Sequence, residues 1–126
     1  VFGVVHTHSV FATAWASCDL EFPLIAAELA ALVGEPVKTA PYRRMGTEEL
    51  AEIVTETLQD KHAVLMANHG LLAVGPNLKT AFSNAVIVEE AAKITYYAKM
   101  MGHIKELDQE ECKVLRRWIM EKYGQK

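Results

Sequence analysis

The sequence predicts an α/β fold, a sheet flanked by helices, on three observations. Short apolar runs rich in β-branched residues, Val1 to Val5, His62 to Ala67 and Leu71 to Val74, read as strands. Longer stretches with apolar residues at helical spacing read as helices. The two kinds of segment interleave along the chain, as in layered α/β architectures.

The elements follow in order. Val1 to Val5 is a strand of buried type that leads into His6 and His8. Successive strand side chains point to opposite faces, so His6 and His8 share one face and Thr7 takes the other. The stretch SVFATAWASC reads as a short helix or helical turn. Phe22 to Val33 reads as a helix, with Pro23 in its first turn and Gly34 as its stop. Residues 35–42 are extended, limited by Pro36 and Pro41. Thr47 caps a helix that runs to Leu58, with Glu48 and Glu49 at the positive end of its dipole. His62 to Ala67 is a buried strand, Asn68-His69-Gly70 interrupts it, and Leu71 to Val74 resumes extended structure. Gly75-Pro76-Asn77 is a turn whose Asn77 can cap the next helix, and Ala81, Ala85, Val88, Ala92 and Tyr96 then recur at helical spacing, predicting one long helix to Met101. Gly102 ends it. Asp108 with Glu111 has the form of a capping box for a last helix, through Lys122.

Composition narrows the function classes. A chain of 126 residues suffices for one domain, 1–126, with a real core. The net charge is −3, and no basic block or basic-aromatic stripe appears, which disfavours nucleic-acid binding. No apolar stretch approaches the roughly 20 residues of a membrane span, and no basic start precedes the apolar N-terminus as in a signal peptide. Cys18 and Cys112 lack CxxC spacing and fit a reduced, cytoplasmic setting. Chain termini are usually loose and polar, whereas this one enters an apolar strand at Val1. The expectation is therefore the C-terminal part of a larger protein.

The chemistry lies in the histidines. His6 and His8 can chelate one metal ion from a strand end, or can be two polar residues bonded to solvent and backbone. Of the five histidines, His62 and His103 are expected at the surface. His69 sits between an apolar strand and a glycine, where a chain can bend and expose a side chain from a rigid element. Alone it reads as a hydrogen-bonded structural residue, and it gains meaning if the fold brings it to His6 and His8. Three neutral imidazoles with an open position suit a catalytic divalent metal, zinc most readily. A closed structural zinc site would want a fourth ligand, and neither cysteine has useful spacing.

The stretches VVHTHSVFATAWA, APYRRMGTEELAEIV and LMANHGLLAVG, with the long helix through VEEAAKI, resemble the class II aldolase and epimerase family. This group holds the metal-dependent L-fuculose-phosphate and L-rhamnulose-phosphate aldolases and the ribulose-phosphate 4-epimerases. The resemblance covers nearly all of the chain, in order. It implies a layered α/β/α class II aldolase-like fold lacking its N-terminal portion. It implies that His6, His8 and His69 bind Zn²⁺, with Mn²⁺ or Co²⁺ as alternatives. It implies a glutamate acid/base and sugar-phosphate-binding loops upstream of Val1, and a cyclic homotetramer with active sites at subunit boundaries.

The resemblance also implies that Tyr123, in EKYGQK, donates a proton to the departing aldehyde oxygen; the other reading is an aromatic that packs the last helix. The family carries a tyrosine or an aspartate on the helix after the HxH strand, and here that region reads PLIAAEL. Glu28 is its one ionisable group, an acid/base or supporting group or else a solvated helix carboxylate. The implied activity is reversible cleavage of a ketose phosphate to dihydroxyacetone phosphate and an aldehyde, through a metal-stabilised enediolate. The alternatives are a pentulose-phosphate 4-epimerase, a methylthioribulose-phosphate dehydratase, and a non-catalytic adducin-like scaffold. YRRMGTEEL looks closer to the aldolases, and the intact histidines weigh against the scaffold.

Overall fold

A computed structural model describes residues 1–34 and 36–122. Its elements are β1 (Gly3–Thr7), α1 (Val10–Ala16), a π-helical segment Leu29–Val33, β2 (Thr39–Ala40), α2 (Glu48–Leu58), β3 (Ala63–Met66), β4 (Gly70–Gly75), α3 (Leu78–Met101) and α4 (Gln109–Lys122). The strands form one mixed sheet in the order β1-β4-β3-β2. β4 is antiparallel to both its neighbours, whereas β2 and β3 are parallel and α2 supplies the crossover that parallel strands need.

Strand alternation splits the core in two. Ala63, Leu65, Leu71 and Ala73 point to one face and pack with Trp15, Leu29, Val33, Ala85, Val88 and Ala92. Val64 and Met66 point to the other face and pack with Val54, Leu50 and Ile53 of α2. Helices therefore cover both faces, the predicted α/β layering. β3 is buried throughout, as its unbroken apolar run requires. The predicted caps form, with Thr47 Oγ1 accepting from the Leu50 N–H and Asn77 Oδ1 from the Thr80 N–H at 2.8 Å.

The structure corrects five sequence expectations. β1 is not of buried type; it forms an edge, Val4 is 56 % exposed, and Val1 and Phe2 are open. The helix predicted from Phe22 begins only at Ala27. Residues 22–26 are drawn into tertiary contacts instead. Phe22 packs against Trp15 with ring centroids 5.4 Å apart, and the Leu24 N–H donates to the Glu106 carboxylate. That helix ends in one wide turn, in which the Gly34 N–H bonds the Leu29 carbonyl. On α3, Thr95 is fully buried in place of Tyr96, which is 49 % exposed. A period of 3.6 carried from Ala81 reaches position 95, not 96, by the fourth step. At α4, Asp108 Oδ1 accepts from the Glu110 N–H, one residue short of the Glu111 N–H that a capping box uses, so Asp108 caps the helix without forming the box.

His62 is the fifth. It is half-buried against α4, with Nδ1 3.2 Å from the Leu32 carbonyl and Nε2 3.3 Å from an Arg116 nitrogen. A carbonyl only accepts and a guanidinium only donates, so this geometry fits the neutral ring with its proton on Nδ1. Burial and the Arg116 charge hold the His62 pKa below the usual imidazole value. Arg116 also donates to the Leu32 carbonyl at 2.6 Å, satisfying the end of the π-helical segment.

Candidate metal centre

The site is built at one corner of the sheet. β1 pairs with β4 through His6↔Leu72 and Thr7↔Leu71, the last pair of the ladder; His8 follows it, and its ring lies against Gly70. His69, next to Gly70, is thereby carried to the end of β1. The β3–β4 turn fixes its place. The His69 N–H donates to the Met66 carbonyl at 3.0 Å, and Asn68 adopts φ 56°, a left-handed conformation that asparagine tolerates better than most residues. The Asn68 N–H is bound in turn by the Ala16 carbonyl at the end of α1.

The three rings converge. Their centroids lie 4.7 Å (His6–His8), 4.8 Å (His6–His69) and 5.2 Å (His8–His69) apart. One nitrogen from each ring falls within 4.8 Å of the others, and among the described residues no carboxylate or thiol joins them. His6 and His8 are exposed and His69 half-buried, so the centre opens to solvent.

Hydrogen bonding sets which nitrogens can act as ligands. His6 Nδ1 lies 2.9 Å from the Leu71 carbonyl oxygen, which can only accept. In the neutral ring Nδ1 therefore carries the proton, and the Nε2 lone pair points into the cluster, an orientation that outer hydrogen bonds commonly impose on ligating histidines. His6 Nε2 is 2.9 Å from His8 Nε2. Two bare lone pairs repel at that distance, so a proton or a cation must lie between them. Burial, and after it the charges of His6 and His8, lower the pKa of His69 and favour its neutral, ligating form. The donor set fits a divalent metal such as zinc, with three nitrogens and an open side.

Gly70 makes the convergence sterically feasible. A Cβ there would overlap the Thr7 carbonyl oxygen and stand 3.1 Å from His8 Cδ2 and 3.4 Å from His6 Cε1. Beyond the bend that a glycine permits here, Gly70 allows the close approach of β1. The other expected site residues stand apart. Glu28 is exposed at the entry to the π-helical segment, which packs on α3 and α4, and it is not in the imidazole cluster. Tyr123 lies outside the described residues.

Comparisons with known proteins agree with one another. Residues 1–96 match the family described as Class II Aldolase and Adducin N-terminal domain. The chain is 42 % identical over 122 residues to the 5-deoxy-D-ribulose 1-phosphate aldolase of Bacillus thuringiensis serovar kurstaki, covering 97 % of this chain and 56 % of that protein. It is 38 % identical over 91 residues to the L-fuculose phosphate aldolase of Escherichia coli, covering 72 % of this chain and 42 % of that enzyme. A solved L-fuculose 1-phosphate aldolase superposes with a TM-score of 0.83 at 37 % identity, covering 92 % of this chain and 54 % of that one. The chain thus spans about half the length of the relatives it matches.

Proposed function

Because the chain belongs to the class II aldolase and adducin family, we propose that it contributes the metal centre of a sugar-phosphate aldolase that reversibly cleaves a ketose 1-phosphate to dihydroxyacetone phosphate and an aldehyde. The observation that carries this reading is the convergence of His6, His8 and His69, with an open side, on a chain whose relatives bear aldolase names. His6, His8 and His69 would hold the cation, Zn²⁺ first. When bound, it supplies a Lewis acid for the negative charge that develops on the ketose oxygens as the carbon–carbon bond breaks.

The chain's own residues orient and limit that chemistry. The Leu71 carbonyl fixes the His6 ring and keeps its Nε2 available. The asparagine turn holds His69 on the end of a buried hairpin, so the ring enters the site from a rigid element. The open side leaves room for a chelating substrate. Tyr123 as proton donor and Glu28 as an acid/base or supporting group belong to the same reading, and Glu28 is the weaker of the two because it is exposed and outside the histidine cluster. A cytoplasmic homotetramer with sites at subunit boundaries completes it. Among the described residues, no helix is long and apolar enough to cross a membrane.

The test uses the full-length protein loaded with zinc. 5-Deoxyribulose 1-phosphate and fuculose 1-phosphate are supplied in turn, and aldehyde release is followed. Release that disappears with a chelator and returns with metal supports the proposal. A metal-loaded protein that cleaves no ketose phosphate overturns it.

A further inference from the structure

The first turn of α1 is held from far along the chain. Ser9, at the N-cap, makes no side-chain cap, and α1 has no acidic residue in its first turn. The Ser9 hydroxyl pairs with the Thr7 hydroxyl instead, 3.0 Å away. Helix-starting N–H groups still need acceptors, and Glu89 in the middle of α3 supplies both. The Phe11 N–H donates to Glu89 Oε1 at 2.9 Å and the Ala12 N–H to Oε2 at 2.8 Å. A carboxylate at a helix N-terminus also meets the positive end of the dipole, and such charge-assisted bonds are stronger than neutral ones.

This clamp grips the backbone three residues beyond His8. At the other end of α1, the Trp15 indole N–H donates to the Ala92 carbonyl of the same helix α3, at 3.2 Å. α1 is therefore pinned to α3 at both ends, while β1 is fixed to β4 by its ladder. His8 lies on the short link between these two anchored pieces, beyond the last paired residue of β1. It is the one ring of the three that is placed by neither a strand pairing nor the hairpin turn.

We infer that Glu89 is a positioning residue for the metal centre, its carboxylate holding α1 so that the His8 ring meets His6 and His69. The inference rests on the metal reading of the three histidines. It assigns no contact between Glu89 and substrate or metal. Neutralising the carboxylate leaves the rings their chemistry but loosens the link that aims one of them.

The experiment compares the full-length protein with Glu89→Gln and Glu89→Ala, using Co²⁺ and Zn²⁺ titrations and the visible spectrum of bound Co²⁺. Removing an outer partner of a metal site typically weakens affinity by about 10–100-fold. The expectation is a loss in that range for Glu89→Ala, a smaller one for Glu89→Gln, which keeps one acceptor oxygen, and a changed Co²⁺ spectrum. Amides of Phe11 and Ala12 should lose hydrogen-exchange protection first. Val54→Ala, in the opposite core layer, is the control for simple destabilisation and should leave affinity unchanged. If Glu89→Ala does not fold, Glu89→Gln decides. Wild-type affinity and spectrum in a folded Glu89 variant, or an equal loss in Val54→Ala, overturn this inference alone. A wild-type protein that takes up no metal overturns it together with the metal reading.

Discussion

The Nδ1 proton of His6 is committed to the Leu71 carbonyl, which leaves one lone pair and one direction for it. His69 has its neutral form favoured by burial and by its two neighbours. Removing a ligand should cost more than removing an outer partner, so His69→Ala is expected to lose metal affinity by more than roughly 100-fold while keeping its circular-dichroism spectrum. Stoichiometric metal retained by that variant contradicts the site. Gly70→Ala tests the same centre sterically. Its Cβ meets backbone at Thr7 rather than the end of a flexible side chain, so β1 must shift. The expectation is a stability loss of about 1–3 kcal/mol by denaturant titration together with weaker metal binding. A variant that kept both would show that β1 can approach β4 in another way.

Two elements set the accuracy of the scaffold around these residues. The β3–β4 turn needs a residue that accepts φ 56° at position 68. Asn68→Gly should be close to neutral, whereas Asn68→Ala should destabilise by about 1–2 kcal/mol, read from denaturation midpoints. Equal midpoints for the two variants would mean the turn relaxes. The link between α4 and the π-helical segment runs through His62 and Arg116. The folded His62 pKa is lowered, so protonation favours the unfolded chain. Stability from this group is complete above about pH 6.5 and is lost as pH falls through that value toward the lower folded pKa. His62→Gln should flatten the fall in urea midpoint across that window without abolishing it, because the lowered pKa of His69 acts in the same direction. An unaltered pH profile in the variant would remove His62 from the account.

For the whole molecule, the proposed metal and the fold would be linked by mass action. A cation that binds only the folded centre should raise stability by about 2.7 kcal/mol at a hundredfold excess over its dissociation constant. Scanning calorimetry of the full-length protein should show the transition move up with zinc, and His69→Ala should abolish the shift. An equal shift in that variant would place the metal elsewhere.

The α/β layering, the two helix caps and the order of strands and helices were legible in the sequence, because β-branched runs, 3.6-residue spacing and capping residues act over a few neighbours. The face shared by His6 and His8 was legible for the same reason, being a matter of period two. Local rules failed where distant contacts compete for the same backbone. Residues 22–26 gave up helix for Trp15 and Glu106, and the first turn of α1 is held by the Glu89 carboxylate from far along the chain. The meeting of His69 with the N-terminal pair was decided by the tertiary structure alone. It depends on β4 lying between β1 and β3, a pairing written in no single stretch of chain.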